Sequence, residues 1–221
     1  MNHTETSGAA WLRRAKLRGE VDFTMMYVAH DAFSRDLSRL IQIGSAGRAH
    51  TPQAQATWAM FSRQLHVHHT AEDTALWPRL RAAVTDADEI AVLDAMAAEH
   101  AELDPQLVRV EAALHGRDGA GLVTQLRDLA SGLAAHMQHE EEAALPLIDR
   151  RLGRAGWSAF GRDIRRSQGG IRGGAEYLPW VLDGAPDQAK RAVLGMLPAP
   201  ARVLYRRVWE PRYRRAAIAS D

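Results

Sequence analysis

Two segments of the chain share one pattern, LHVHHTAEDTALWP at residues 65–78 and LAAHMQHEEEAALP at residues 133–146. Each segment has a leucine, then a histidine, a glutamate four residues after that histidine, a second carboxylate and a proline. The matching positions are 68 residues apart throughout, as Leu65 and Leu133 illustrate. Similarity at one fixed spacing indicates a duplicated structural unit.

Around these segments, the apolar residues recur with the period of a helix, and no alternating strand pattern is evident. The predicted helices cover residues 21–43, 52–80, 86–115 and 120–150. Thr51 precedes the second of them at the N-cap, a position that threonine favours. Because short turns that contain glycine join the helices, we expect an all-α chain with an up-down-up-down four-helix bundle.

Each predicted pair of helices carries one lone histidine and one histidine–glutamate pair on its apolar faces. The lone histidines, His30 and His100, are 70 residues apart. Residues four apart in a helix lie one above the other, about 5–6 Å apart at Cβ, so each histidine and its glutamate can reach one metal ion. The six candidate metal ligands are His30, His68, Glu72, His100, His136 and Glu140.

The donor types favour iron. The chain has no cysteine, so a metal site can use only imidazole nitrogen and carboxylate oxygen, and six such donors exceed a tetrahedral zinc site. The glutamates also need a cation near them, because an unpaired buried carboxylate is very costly. Two octahedral ions offer about 12 positions, of which four histidines, two bridging glutamates and a bridging oxide or hydroxide fill about 10. The remaining positions, about 2, can bind a small ligand.

This ligand pattern resembles that of the hemerythrin-like proteins, the family with the HHE cation-binding domain. Residues 76–78 and 145–146 are also similar to segments of that family. The resemblance covers residues 21–150 and implies a four-helix bundle that holds a non-haem di-iron centre. It further implies that the iron binds dioxygen, nitric oxide or peroxide, in oxygen handling, sensing, or iron and oxidant homeostasis.

The chain departs from the oxygen-carrying members of this family at two places. Those proteins have a fifth histidine four residues after the third-helix histidine, where this chain has Asp104. Their last carboxylate ligand stands five residues after its histidine, where this chain has Glu141, whereas the related bacterial pattern uses Glu140. The missing histidine argues against reversible oxygen carriage. Asp104 and Glu141 stay open as additional or alternative ligands.

Other polar residues flank the candidate ligands. His69 and His139 do not occupy matching places in the two repeats, so we expect them outside the metal site or at the surface. The neighbouring carboxylates are expected to be solvated or to hydrogen-bond the ligating histidines from outside, as carboxylates near metal-bound histidines commonly do. They are Asp31, Asp73, Glu141 and Glu142.

The net charge of +1 over 221 residues is a cancellation between two parts of the chain. Residues 1–150 carry 14 basic and 21 acidic side chains, whereas residues 151–221 carry 14 basic and 6 acidic ones. A chain of this length fits one domain with an appendage. We therefore predict three parts along the chain. They are an N-terminal segment at 1–20, the four-helix bundle at 21–152 and a basic, aromatic-containing helical C-terminal extension at 153–221.

Within this extension, we expect short helices at 155–166, 187–196 and 200–210 and a glycine-rich loop at 169–174. Arginines interleave with Tyr205, Trp209 and Tyr213 near its end. Packing against the acidic bundle is the favoured interpretation, because long arginine stems cover apolar surface well. A protein partner or self-association is the second interpretation. Nucleic acid is disfavoured, because no motif that reads it is evident.

Three functions are compatible with this sequence. The first is a non-haem di-iron protein that binds dioxygen, nitric oxide or peroxide for sensing, buffering or oxidant and iron homeostasis. The second is a di-iron enzyme that decomposes peroxide or oxidises ferrous iron, and the third is a metal-free helical interaction module that uses the basic extension. No dedicated general base or substrate pocket is evident, so the sequence leaves open whether the protein is an enzyme.

The sequence also favours the cytoplasm. Its first residues lack the apolar region of a secretory signal. No run of about 18 apolar residues occurs, so we expect no membrane-spanning segment.

Overall fold

The computed structural model describes residues 13–14, 17, 19–116 and 119–218. The regular secondary structure in this part of the chain is helical, and it contains no strand. The all-α fold class predicted from the hydrophobic pattern is confirmed. Within the same residues, no helix is apolar over enough of its length to cross a lipid bilayer.

Four long helices form the bundle. In chain order, the first helices are α1 (Thr24–Ser45), α2 (Pro52–Ala71), α3 (Trp77–Ala83), α4 (Ala87–His115), α5 (Gly119–His139) and α6 (Leu145–Arg151). The helix α1 packs against α2 and α5, and α5 packs against α4. The predicted four-helix bundle is therefore confirmed. The side chain of Thr51 caps α2 by accepting a hydrogen bond from the amide of Ala54.

Turns of π-helix interrupt the predicted second and fourth helices. Glu72–Leu76 joins α2 to α3, and Glu140–Ala144 joins α5 to α6. The expectation of uninterrupted α-helices over 52–80 and 120–150 is therefore wrong at both places. A proline follows each turn closely, and in a regular α-helix proline lacks the amide N–H and clashes with the carbonyl four residues earlier. The wider turn accommodates the proline, and such turns are frequent at functional sites.

Apolar side chains form two clusters along the bundle, and the candidate ligands lie between them. On α4, Met96 belongs to one cluster and Leu103 to the other, and His100 lies between these two residues in sequence. On α2, His68 likewise lies between Leu65 of one cluster and Ala71 of the other. The predicted polar positions therefore form a layer inside an otherwise apolar bundle.

The rest of the chain is also helical. Its helices are α7 (Gly153–Ser167), α8 (Gly170–Leu182), α9 (Asp187–Gly195), α10 (Ala199–Leu204) and α11 (Glu210–Ile218), with a π turn at Tyr205–Trp209. The glycine-rich loop expected at 169–174 is wrong, because α8 begins at Gly170. Only Gly169 and Gly170, with φ of 84° and 64°, adopt the left-handed backbone that glycine permits in this stretch.

The extension completes one of the two apolar clusters. Trp180 of α8 is 1% exposed, and its ring centroid lies 5.4 Å from that of Phe33 on α1. The buried Arg35 donates hydrogen bonds from Nη1 to the main-chain carbonyls of Trp180 and Asp183, at 2.8 and 2.6 Å. A shared apolar core and a buried polar contact therefore hold α8 against α1.

The end of the extension packs through its aromatic residues. Tyr205 is buried, and Trp209 and Tyr213 are half-buried against the same cluster. Most of the arginines that interleave with them are exposed. These are Arg206, Arg207, Arg212, Arg214 and Arg215. The predicted packing of this segment is therefore confirmed for the aromatic residues and is wrong for these arginines.

Candidate metal centre

The six predicted ligands lie together in the interior of the bundle. The helices α1, α2, α4 and α5 supply the histidines and the two π turns supply the glutamates, and each of the six side chains is at most 6% exposed. Nε2 of His68 lies 3.1 Å from Oε1 of Glu72, and Nε2 of His30 lies 3.1 Å from Oε2 of Glu140. Nε2 of His100 lies 3.2 Å from Nε2 of His136. The helix spacing therefore brings these side chains to one place, as the repeats predict.

Within this site, the donor atoms fall into two groups. His30, His68 and Glu140 each offer one donor atom within 4.8 Å of the others, and His69, His100 and His136 do the same. Glu72 faces both groups, since its Oε1 lies 3.1 Å from Nε2 of His68 and its Oε2 lies 3.6 Å from Nε2 of His100. Each of the two groups could therefore hold a metal ion, and a carboxylate faces each group.

The chemistry of these buried atoms fits a metal. Both carboxylate oxygens of Glu72 and of Glu140 are buried without a hydrogen bond, and so is Nε2 of His30. Buried polar atoms in proteins almost always have hydrogen-bond partners. An uncompensated buried carboxylate is particularly costly, and a cation among these donors would compensate it. The residues present therefore suit one or two hard or borderline cations.

Carboxylates outside the cluster orient two of the histidines. Nδ1 of His30 lies 2.8 Å from Oε1 of Glu141, and Nδ1 of His100 lies 2.9 Å from Oδ1 of Asp73. Glu141 and Asp73 occupy matching places in the two repeats. In each case Nδ1 faces outward, which leaves Nε2 directed into the site. Both carboxylates therefore contact the histidines that they were predicted to hydrogen-bond from outside.

Glu99 orients a third histidine, a role that the repeats do not predict. Its Oε2 lies 2.8 Å from Nδ1 of His136, and its Oε1 lies 2.7 Å from Nδ1 of His139. The matching place before His30 holds an alanine. Because Glu99 breaks the repeat, repeat matching could not identify it. Its position directly before His100 was the available signal.

Arg14, which precedes the bundle in the chain, contacts the residues that surround the site. It is 5% exposed and binds Glu141 through two hydrogen bonds, Nε to Oε2 at 3.0 Å and Nη2 to Oε1 at 2.7 Å. Its Nη1 donates to Oδ1 of Asp31 at 2.8 Å. Hydrogen bonds therefore link Asp31 to His30 by way of Arg14 and Glu141. No motif in the sequence indicates this role for Arg14.

Burial and neighbouring charges shift the pKa values of the metal-free site. Burial lowers the pKa of His30, but Glu140 and Glu141 outweigh burial and raise this pKa to about 9. Burial, with Glu140 next in importance, raises the pKa of Glu72 well above its usual value. Burial lowers the pKa of His68, and the surrounding imidazoles lower it further. At neutral pH His68 is therefore a neutral imidazole, the form that binds metals.

Three further residues lie near the candidate ligands in the sequence. His69, expected next to the ligands or at the surface, is not at the surface, because it is 7% exposed and stacks on His100 with ring centroids 3.9 Å apart. Burial lowers its pKa well below the usual value, and the imidazoles around it add to this effect. Asp104, left open as an additional ligand, is exposed on α4 and belongs to neither group of donor atoms. His139 lies outside the cluster as expected, behind Glu99.

Together, the fold and the cluster define a helical-bundle metal-binding domain. The chain belongs to the hemerythrin family, because the sequence model of the hemerythrin HHE cation binding domain matches residues 21–148. Membership implies metal binding, typically of iron, and the buried groups of histidine and glutamate are in keeping with it. No curated protein and no solved structure matches the chain.

Proposed function

We propose that this protein holds two iron ions in the buried site and binds dioxygen, nitric oxide or peroxide there, as a sensor or buffer of small oxidants or in iron homeostasis. One observation carries the proposal. Two glutamates that make no side-chain hydrogen bond lie fully buried among imidazoles from four helices. That arrangement is costly in a metal-free protein and suited to a protein with bound cations.

In this proposal the six ligands are His30, His68, Glu72, His100, His136 and Glu140. Bound iron supplies redox chemistry and open coordination positions for a small ligand. The chain supplies the rest, beginning with imidazoles whose Nε2 atoms face inward. Asp73, Glu99 and Glu141 hold the outer nitrogens of His100, His136 and His30. The apolar clusters on either side keep bulk water from the site.

Iron analysis with an absorption spectrum tests the proposal. Purified protein supplied with ferrous iron is expected to hold two irons per chain. Its spectrum should change on exposure to dioxygen, nitric oxide or peroxide. Iron content far below two per chain would refute the proposal. Steady turnover of peroxide above that of free iron, abolished in His100→Ala, would identify the protein as an enzyme instead.

A melting experiment separates the proposal from a metal-free interaction module. Ligands that bind only the folded state raise the free energy of unfolding by about 3 kcal/mol at 100 times their Kd. The double variant His68→Ala with Glu72→Ala should lose this iron-dependent gain. The matched control is His66→Ala with Thr70→Ala, two exposed positions with the same spacing on α2. If iron stabilises neither the wild-type protein nor the control, and the His68→Ala, Glu72→Ala variant is as stable as the wild-type protein with or without iron, the metal-free module is favoured.

A further inference from the structure

A cleft in the C-terminal extension is lined by cations from two helical segments. Its walls come from α9 and from α10 with the π turn that follows it, and its volume is about 240 Å³. The ionisable residues that line it are four cations and one carboxylate. They are Lys190, Arg191, Arg202, Arg206 and Asp187. None of them is a candidate metal ligand, so the cleft is a separate site on the molecule.

Two cations in this cleft lack the partners that comparable cations have elsewhere. Five lysines and arginines among the described residues are buried or half-buried. Three of them, Arg14, Arg35 and Arg79, each contact a carboxylate. The other two are Lys190 and Arg202, whose side chains make no hydrogen bond and no ion pair with any residue that the structure describes. Both of the unpaired cations line the same cleft.

The positive charge of the cleft is therefore uncompensated. Arg191 and Arg206 are exposed and likewise make no ion pair within the described part of the chain. Four cations and the carboxylate of Asp187 give the lining a formal charge of +3. Like charges that lie close together repel, and an anion among them offsets this repulsion.

Packing against the bundle holds the walls of the cleft in place. Ala189 and Val193 of α9 and Tyr205 at the start of the π turn are buried in the same apolar cluster. Residues four apart in a helix lie on one face, so Arg202 and Arg206 share a face of their segment. Both walls are therefore anchored before any ligand arrives, which lowers the cost of binding.

We infer that this cleft binds a phosphate group, carried by a soluble small molecule or by a lipid headgroup. The planar donors of arginine match the geometry of phosphate, and lysine binds phosphate as a point charge. A phosphate monoester carries about −1.5 to −2 charges at pH 7, so it compensates the charge of the cleft better than a single carboxylate does. Pockets that enclose drug-sized ligands have roughly 300–1,000 Å³, so this smaller cleft holds the phosphate group and leaves most of a larger ligand outside.

Calorimetric titration of the full chain with inorganic pyrophosphate tests the inference. At about 0.15 M salt, where distant exposed charges are largely screened, we expect saturable binding of one pyrophosphate per chain. The double variant Lys190→Gln with Arg202→Gln should bind at least about tenfold more weakly, because it loses charge-assisted hydrogen bonds. The control Arg207→Gln with Arg212→Gln removes the same charge at exposed positions of the extension that do not line the cleft.

The variant Asp187→Asn keeps the inference testable if the double variant folds poorly. It removes the carboxylate that repels an anion in the cleft, so pyrophosphate should bind up to about fivefold more tightly, the effect of one unit charge at about 4 Å in water. Absence of saturable binding to the wild-type protein would overturn the inference. An equal loss of affinity in the two double variants would also overturn it, because that result indicates attraction to the net charge alone.

Sedimentation with vesicles distinguishes the two sources of the phosphate group. Vesicles of phosphatidylcholine with phosphatidic acid are compared with vesicles of phosphatidylcholine alone. Co-sedimentation with the acidic vesicles that is lost in Lys190→Gln with Arg202→Gln would support the cleft as a lipid headgroup site. Pyrophosphate binding without co-sedimentation would support a soluble ligand. Co-sedimentation that the double variant retains, without pyrophosphate binding to the wild-type protein, would refute the assignment of the cleft.

Discussion

Arg14 and Glu141 form a buried ion pair with two hydrogen bonds, and Glu141 also contacts the candidate ligand His30. Nε and Nη2 of Arg14 lie 3.0 and 2.7 Å from the two carboxylate oxygens of Glu141. The oxygen bound by Nη2 also lies 2.8 Å from Nδ1 of His30. A residue that precedes α1 in the chain thus fixes the orientation of a histidine inside the bundle.

Replacing Arg14 with alanine is expected to destabilise the metal-free protein. Breaking a buried ion pair costs about 3–5 kcal/mol, and because His30 still contacts Glu141 in the variant, we expect the lower end, about 3 kcal/mol. Urea unfolding measures the loss. Arg13→Ala is the matched control, because Arg13 is the exposed neighbour of Arg14. Equal stabilities of the two variants would show that the pair contributes nothing.

Glu141 also predicts a change in stability with pH. Burial raises its pKa, but His30 and Arg14 outweigh burial and lower this pKa from 4.5 to about 2. The folded state therefore favours the ionised carboxylate. The stability that this provides is complete above about pH 4.5 and is lost as the pH falls to about 2, amounting to about 3 kcal/mol.

The variant Glu141→Gln should not show this part of the loss of stability as the pH falls. The free energy of unfolding, measured between pH 2 and 6, compares the variant with the wild-type protein. Glu142→Gln is the control, since Glu142 is the exposed neighbour. If Glu141→Gln loses as much stability at low pH as the wild-type protein does, a lowered pKa of Glu141 does not contribute to acid unfolding.

Much of the fold and of the site could be predicted from the two repeats. Helix geometry places residues four apart on one face, so His68 with Glu72 and His136 with Glu140 had to lie together once both helices faced the core. Glu99 and His69 were missed because neither matches between the repeats. They make the two halves of the site different, and a comparison of halves cannot reveal such differences.

Other features of the fold depend on tertiary contacts. The helix α8 forms despite several glycines near its start, which disfavour helix. Burial of Leu178, Trp180 and Leu182 against the bundle compensates for this low propensity. Arg14 likewise has its role because of the carboxylates that the fold brings to it, from residues far away in the sequence.

Binding of a divalent metal should release protons at neutral pH. His30, with its pKa raised to about 9 by Glu140 and Glu141 against the effect of burial, is protonated in the metal-free protein. Nε2 must lose its proton before it can bind a metal, and so must Glu72, whose pKa burial raises. Metal affinity should therefore rise with pH until about 9.

Calorimetry of metal binding in buffers with different ionisation enthalpies counts these protons. The same titration above pH 9 is the internal control, because His30 is then already neutral. The stability that its charged form adds to the metal-free protein is complete below about pH 6.5 and is lost as the pH rises to about 9. Proton release that does not depend on pH would contradict this prediction.

Trp180→Ala should destabilise the bundle itself. The indole is 1% exposed, packs against Phe33, and donates from Nε1 to Oδ2 of Asp36 at 2.7 Å. Truncation of a buried tryptophan costs about 3–5 kcal/mol. Ile171→Ala is the control on the same helix, because Ile171 is 81% exposed. A two-state unfolding midpoint unchanged in Trp180→Ala would mean that the extension does not stabilise the bundle.

Glu99→Gln should weaken iron binding without unfolding the protein. The carboxylate holds Nδ1 of His136 at 2.8 Å, and its side chain is 28% exposed, so the neutral amide remains solvated. Loss of a charged partner of a ligating histidine costs about 10–100-fold in metal affinity, and glutamine keeps one acceptor oxygen, so we expect the lower end, about tenfold. Chelator competition measures the affinity, and Glu102→Gln, an exposed position on α4, is the control.

The loss should fall on the ion held by His100 and His136, because Glu99 contacts neither His30 nor His68 among its observed hydrogen bonds. An equal loss at both irons would show that Glu99 acts through the charge of the whole site and not through one histidine.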